Sequence, residues 1–431
     1  MGQTEWGFLG IAVLMVLLLL GTHVGFTLVL IGFLGFAAIG GLNAGISNLA
    51  ILPFDRLNDY HFAVLPLFLL MGSFVAQSGI GREAYEFARA WLGNFRGGLA
   101  MATVLACALI AAVAGSSAVG AVIMGQVAYP EMKKFGYSTR MAAGCIASGG
   151  TMGILIPPSM GFVLIGILTE LSIGKLFMAG IIPGILEAVF YIIAIILMCR
   201  FRPSLAPATA TTTWSEKGKS VWKTWPVIAL FVLIMGGIYG GIFTPTEAGG
   251  IGAFGALVIS LLKRQINLHG IWASLIECAR MTSMIIIMLI GAYMFNAFLA
   301  ITQIPFTISE YIATLPLDRM VILLLIIIFY IICGMFFDVI AVLILTIPIL
   351  YPLMDNLGFD LIWYSVLMVR IIEIGMITPP FGINLFILTG VINEPLGLLY
   401  RGVVPFIIAD FCHVALLVAV PQLSTFLVNL M

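Results

Sequence analysis

Two pairs of interrupted apolar segments hold the residues that can do chemistry. Residues 114–120 (AGSSAVG) and 334–340 (GMFFDVI) each set glycine and a polar side chain inside apolar sequence. Farther along, 148–158 (SGGTMGILIPP) and 373–380 (EIGMITPP) each end in a double proline preceded by glycine and threonine. Proline removes a backbone donor and glycine weakens a helix, so these stretches predict breaks. A helix that stops leaves carbonyl oxygens bare at its C-terminal end and amides bare at its N-terminal end. The oxygens suit a small hard cation such as Na+, and the amides suit an anion. Two such sets imply two cation sites with an anion between them.

Single residues add to this pattern. Asp338 lies deep in an apolar run, where a charge costs about 2.5–3.5 kcal/mol on insertion scales, which marks it as functional by default. The same residue is also placed to cap a half-helix, and the two roles are compatible. Arg370 and Glu373, three apart on one helix, are expected to neutralise each other. His23 and His413 fall near span ends and are expected at the membrane interface. Asp338 has no second aspartate at the expected membrane depth, and no histidine shares a segment with Ser116 or Ser117. An intramembrane protease, which needs such pairs, is therefore a remote alternative, and no enzyme is expected. The cysteines are scattered without a CxxC or Cys/His pairing and read as small core residues.

Positioning these segments requires a membrane. Of 431 residues, 62% are hydrophobic and 9% charged, against about 25% charged in soluble domains. A soluble enzyme and a secreted disulfide scaffold are disfavoured, and zero net charge gives no field to attract nucleic acid. Apolar runs predict spans near 7–21, 25–42, 61–79, 97–114, 141–168, 177–199, 225–242, 248–262, 277–300, 319–334, 361–390 and 403–425, each near the roughly 20 residues that cross hydrocarbon. The first run has no basic flank or cleavage site and reads as a membrane helix, not a removable signal. Residues 200–223, rich in Pro, Thr and Lys, predict a linker between halves 1–199 and 224–431.

The halves repeat. An offset of 222 residues relates Tyr129-Pro130 to Tyr351-Pro352, Gly136 to Gly358, Gly153 to Gly375, Pro157-Pro158 to Pro379-Pro380, Gly180 to Gly402 and Pro183 to Pro405. Lys133, Lys134 and Arg140 occupy 131–140, whereas 353–362 has no Lys or Arg; Arg82, Arg89 and Arg96 likewise have no basic counterpart in 302–318. Basic residues favour the cytoplasmic side, so equivalent loops face opposite sides and the repeats are inverted. The linker 200–223 is then cytoplasmic and both termini periplasmic. Segments 115–140 and 334–360 are too short for two crossings and predict re-entrant helical hairpins, followed by broken helices near 149–158 and 373–380. Segments 81–95 and 302–317 are either helices along the membrane face or plain loops.

Four motifs, AVAGSSAVGAVI (112–123), GGTMGILIPPS (149–159), GGIFTPTEAGGIGA (240–253) and GMITPPFGINLF (375–386), resemble in order and spacing the large membrane subunit (DctM-type) of tripartite ATP-independent periplasmic (TRAP) transporters. The resemblance covers essentially the whole chain. It implies an all-α polytopic protein of the bacterial inner membrane with an elevator-type scaffold and transport domain. The implied activity is Na+-coupled uptake of an organic acid, such as a C4-dicarboxylate, sugar acid or sialic acid, without ATP or an organic cofactor. It also implies a periplasmic substrate-binding protein, a small four-helix membrane subunit on a separate chain, and a lipid surround. Carried over by motif, one Na+ site comprises Gly115, Ser116, Gly150, Thr151 and Gly153. The other comprises Gly334, Asp338, Gly375, Met376 and Thr378. Substrate is expected near Ser117, Pro157 and Asn384, with Arg56 as an anion-binding candidate. The alternative is a stand-alone Na+/carboxylate symporter or exchanger of the divalent-anion type.

Overall fold

The computed structural model describes residues 2–58, 60–115, 117–207, 212–314 and 316–431, with the side chains of 56, 57, 308, 309 and 312–314 outside that description. Ser116 and the Arg56 side chain therefore lie outside the described residues. Among the described residues every regular element is helical. The first half runs α1 (Gln3–Leu19), α2 (Val24–Gly40), α3 (Leu42–Leu57), α4 (Val64–Gln77), α5 (Ile80–Leu92), α6 (Gly98–Ala114), α7 (Ser117–Lys134), α8 (Thr139–Leu155), α9 (Met160–Thr169) and α10 (Ile173–Phe201). The second runs α11 (Trp214–Tyr239), α12 (Pro245–Leu262), α13 (Leu268–Thr302), α14 (Ile304–Thr314), α15 (Arg319–Phe336), α16 (Val339–Asn356), α17 (Leu361–Ile377), α18 (Ile383–Ile392), α19 (Leu396–Ala419) and α20 (Gln422–Thr425).

Caps set many of these boundaries. Ser138 begins α8 by accepting from Met141 N, and Asp360, 222 residues on, begins α17 by accepting from Trp363 N. Ser159, Ser172, Asn267 and Asp318 start α9, α10, α13 and α15 in the same way. Thr213 and Glu216 form a reciprocal capping box that starts α11 at Trp214. The irregular connection is therefore shorter than the expected linker 200–223, whose last residues are helical. Helix α3 replaces the connection expected between the second and third spans. Segments 81–95 and 302–317 resolve as the helices α5 and α14.

Two bodies of packing follow. Helices α2, α4, α11, α12 and α13 lie against one another, while α6, α7, α10, α17, α18 and α19 enclose α8. Glycines allow the closest crossings. A Cβ on Gly144 of α8 would lie 2.3 Å from the Gly402 carbonyl of α19, and one on Gly402 would lie 2.3 Å from the Arg140 carbonyl. These two backbones touch, which only glycine permits. Of the described helices, nine are long and apolar enough to cross a membrane. Lipid-facing Leu, Ile and Phe remain exposed along them, as bilayer solvent requires.

Candidate functional site

Helices α6 and α7 fold back on each other. Thr103 Oγ1 meets Met132 Sδ at 3.6 Å and Tyr137 OH accepts from Leu99 N at 3.2 Å, which pairs the start of α6 with the far end of α7. The hairpin tip is Gly115, with φ +62°. The run at 97–114 is thus the first arm of the hairpin and not a separate crossing. In the second half Tyr330 OH meets Thr346 Oγ1 at 3.1 Å, folding α15 against α16 around a tip at 337–338.

Each tip abuts a broken helix. A Cβ on Gly115 would come 2.9 Å from the Pro158 carbonyl, so the first tip rests on the double proline between α8 and α9. Ser159, just past the break, donates to the Ile154 carbonyl and caps α9. In the second half Gly382 N donates to the Met335 carbonyl at 3.4 Å, and the rings of Phe336 and Phe381 lie 4.6 Å apart across the same junction. Pro157-Pro158 and Pro379-Pro380 are both cis, a further likeness between the two breaks.

The expected site residues fall around these junctions as follows. Gly150 backs onto the second hairpin arm, where its Cβ would lie 2.8 Å from that of Ala121. Thr151 Oγ1 donates to the Ser148 carbonyl at 2.6 Å. Gly153 and Pro157 are buried beside it. Gly334 and Gly375 are in backbone contact, since a Cβ on Gly334 would lie 2.4 Å from the Ile372 carbonyl and 3.2 Å from the Gly375 Cα. Thr378 ends α17 and donates to the Ile374 carbonyl at 2.6 Å; Met376 is buried beside it. Asp338 caps α16, accepting from Ala341 N at 2.9 Å. It also borders a cavity of about 250 Å³ shared with His23, Met284 and Met288, so it looks toward α2 and α13 as well as crowning the tip.

Ser117 and Asn384 fall at the same level by register. Tyr129 and Lys133 on α7 reach Glu394 just beyond α18 at 2.6 and 3.0 Å, and Gly125 faces Val391 and Leu388. The two helices therefore run parallel, and Asn384 at the start of α18 is level with Ser117 at the start of α7. Asn384 is fully buried, and neither its Oδ1 nor its Nδ2 has a hydrogen-bond partner. A buried amide without partners costs free energy that a bound polar group would recover. Outside that cluster, the Tyr129 hydroxyl and the Lys133 ammonium hold the Glu394 carboxyl below the usual carboxylate range.

A charged network at the centre of the helix pack was not anticipated. Arg370 does not simply pair with Glu373. Its guanidinium lies 2.9 Å from Glu187, contacts Asp410, and reaches Glu373 at 3.6 Å. Its Nε donates to His413 Nδ1 at 3.2 Å, and a terminal nitrogen donates to Tyr191 OH at 3.4 Å. His413 is thus buried in the network and not interfacial, and Asp410 is a second aspartate in a membrane-crossing helix. Glu373 also accepts from the Ile154 amide at 3.3 Å, and Glu187 lies 3.4 Å from Thr151 Oγ1, so the network grips the first break. A signal for it was present. The offset of 222 relates Ser148 to Arg370, Thr151 to Glu373 and Tyr191 to His413.

Each half of the chain thus brings a hairpin tip against a helix break. The family described as "Tripartite ATP-independent periplasmic transporter, DctM component" matches residues 11–423. The chain belongs to the DctM family. It is 36% identical over 387 residues to the C4-dicarboxylate TRAP transporter large permease protein DctM of Pseudomonas aeruginosa, covering 89% of this chain and 90% of that one. It is 30% identical to the sialic acid TRAP transporter large permease protein SiaM of Vibrio cholerae over 96% of both chains. Among solved structures, the YdaH transporter of Alcanivorax borkumensis superposes with a TM-score of 0.61 at 14% identity over 88% of each chain, a likeness of fold. This DctM-family chain is a multi-pass membrane transporter subunit and not an enzyme.

Proposed function

We propose that this subunit moves a small organic anion into the cell, coupled to Na+ held at the two junctions of hairpin tip and broken helix. The observation that carries this reading is the doubled junction itself, Gly115 on the Pro158 carbonyl and Met335 on Gly382. The donor chemistry fits a hard cation. Thr151 and Thr378 each spend their hydroxyl proton on a carbonyl of their own helix, which leaves the oxygen lone pairs free to accept. Gly115, Ser116, Gly150, Thr151 and Gly153 would hold one ion, and Gly334, Asp338, Gly375, Met376 and Thr378 the other, through hard oxygen donors. Bound Na+ would supply positive charge that offsets that of the solute. Against an inside-negative potential a dianion costs about 2.3 kcal/mol per charge per 100 mV, and two Na+ cancel that cost.

Asn384, level with Ser117 and buried without hydrogen-bond partners, is the strongest candidate to meet the solute, since its amide offers both donors and an acceptor for carboxylate and hydroxyl. The relatives' names span C4-dicarboxylates, sialic acid and 2,3-diketo-L-gulonate, and the solute here is placed within that class of organic acids. A small membrane subunit and a periplasmic binding protein complete the system. In keeping with this, the chain spans 61% of a longer relative from Oleidesulfovibrio alaskensis, the isethionate TRAP transporter permease protein DctMQ. In this reading the protein lies in the inner membrane with the linker 200–223 in the cytoplasm and both termini in the periplasm, as the basic residues of 131–140 and of the linker favour.

The test is uptake into proteoliposomes containing this chain, a co-expressed small subunit and the cognate binding protein, under an inward Na+ gradient. Uptake should require all three and stop when choline replaces Na+. Thr151→Val and Thr378→Val should raise the Na+ concentration needed, whereas Asn384→Ala should raise the solute KM. Transport by this chain alone, or unchanged transport in choline, would overturn the reading.

A further inference from the structure

A second site lies on the outside of the helix pack, away from the junctions. A groove of about 600 Å³ runs between α10 and α19 beside the start of α8. Three arginines, Arg140, Arg202 and Arg401, lie at one end of it. They come from separate elements: the first turn of α8, the C-cap of α10 and the early part of α19. Their convergence is built into the fold. Ser138 N donates to the Leu205 carbonyl at 2.9 Å, and Gly402 crosses α8 in backbone contact with Arg140. All three arginines are exposed, and no ion pair to any of them forms among the described residues. No carboxylate lines the groove. Elsewhere on the basic face, Arg82, Arg89, Lys133, Lys223 and Lys263 all have acidic partners. The three arginines thus form a cationic end without an internal counter-charge.

The remainder of the groove is apolar and faces outward. Ile193 is 47% exposed and Ile408 60%, with Leu197 between the arginine end and Ile193. From Phe201 back to Phe190 the wall covers twelve residues of α10, about 17 Å of helix. Phe190, stacked on His413 at 5.5 Å, closes the far end. A cationic cluster at the head of an open hydrocarbon channel matches one chemistry, an anionic phospholipid with its phosphate among the guanidiniums and its acyl chains along α10 and α19. A soluble anion has no use for the apolar wall, and a zwitterionic lipid leaves the arginine charge uncompensated.

The geometry points to a specific anionic-phospholipid site formed by Arg140, Arg202 and Arg401 with the α10–α19 groove. The occupant would splint the two helices that supply Glu187 and Asp410 to the central network, so lipid composition would tune the stability of that pack. The site stands whether or not the coupling proposed above is correct.

The experiment uses the full chain, purified in detergent, stripped of lipid and mixed with phosphatidylglycerol or phosphatidylethanolamine. Native mass spectrometry reads the retained lipid, and thermal unfolding reads the stabilisation. Wild type should retain phosphatidylglycerol preferentially and unfold at higher temperature with it. Each single change, Arg140→Gln, Arg202→Gln or Arg401→Gln, should weaken retention about fivefold, the factor for roughly 1 kcal/mol per basic residue near an anionic headgroup. The triple variant should lose the preference altogether while still folding in phosphatidylethanolamine. Ile193→Ser with Ile408→Ser should weaken retention with all arginines intact. Equal retention of both lipids by wild type, or an unchanged preference in the triple variant, would overturn the proposal. So would displacement of the lipid by millimolar inorganic phosphate beyond a chloride control of equal ionic strength, or cross-linking of an Ile193→Cys variant to the small subunit instead of to lipid.

Discussion

The two helix breaks share a backbone plan and differ in what surrounds them. The first, at Pro157-Pro158, is buried on every side and held by charge, through Glu373 on the Ile154 amide and Glu187 beside Thr151. The second, at Pro379-Pro380, opens outward, with Pro380 exposed and Phe381 44% exposed. Its support is a neutral hydroxyl: Tyr400 OH donates to the Pro380 carbonyl and lies 3.2 Å from the Phe381 carbonyl. The glycine contacts differ as well. Gly150 touches the descending hairpin arm α7, whereas Gly375 touches the ascending arm α15. One plan thus yields a sealed junction and an open one, and the side chains around each junction decide which is which.

The largest expected effect separates charged from neutral support. Arg370→Met leaves three buried carboxylates without their cation and should cost about 3–5 kcal/mol or prevent accumulation. Tyr400→Phe at the neutral junction should cost about 1 kcal/mol. Unfolding of both variants in detergent checks this, and similar losses would break the contrast. Next come the glycines. Gly334→Ala drives a methyl against the Ile372 carbonyl and should cost about 1–3 kcal/mol by parting two helices. Gly115→Ala meets its nearest atom at 2.9 Å and mainly pays for its left-handed backbone, about 1–2 kcal/mol. Gly334→Ala should therefore show the lower unfolding midpoint.

Accessibility tests the sealed-and-open contrast directly. In a cysteine-free background, Phe381→Cys should react with a membrane-impermeant maleimide at least about tenfold faster than Ser159→Cys. A buried thiol reacts only through local opening, and that factor corresponds to a 1.4 kcal/mol opening cost. Equal rates would mean that both junctions are equally closed. The smallest effect is at the hairpin base. Glu394 is held below the usual carboxylate range, so its bonds to Tyr129 and Lys133 stabilise the fold above its ordinary value near 4.5. That contribution is lost as pH falls through the lowered value. The gap in melting temperature between wild type and Glu394→Gln should be full at neutral pH and shrink as pH falls below the usual carboxylate range.

Backbone punctuation was legible in the sequence because glycine, proline and capping residues act through their immediate neighbours. Ser138 and Asp360 start equivalent helices, and the double prolines end equivalent ones, at the spacing the repeat predicts. Helix α3 was hidden because Asn43, Ser47, Asn48, Asp55 and the internal Pro53 interrupt its apolar pattern. The arm α6 passed for a complete crossing, since only the turn at Gly115 shows that the chain goes back. The repeat marks positions of the Arg370 network, but its partners could not be read from the sequence for a different reason. Which helix faces Arg370 is a tertiary fact, and Glu187 and Asp410 lie on two other helices far away in sequence.

Positions related by the repeat come together in that network, with Ser148 answering Arg370 and Tyr191 answering His413, so it lies where the two halves turn into each other. A guanidinium at such a place cannot be duplicated. Its twin would sit against it in hydrocarbon and repel it, whereas a serine leaves room. Charge thus requires the two halves to differ where they meet.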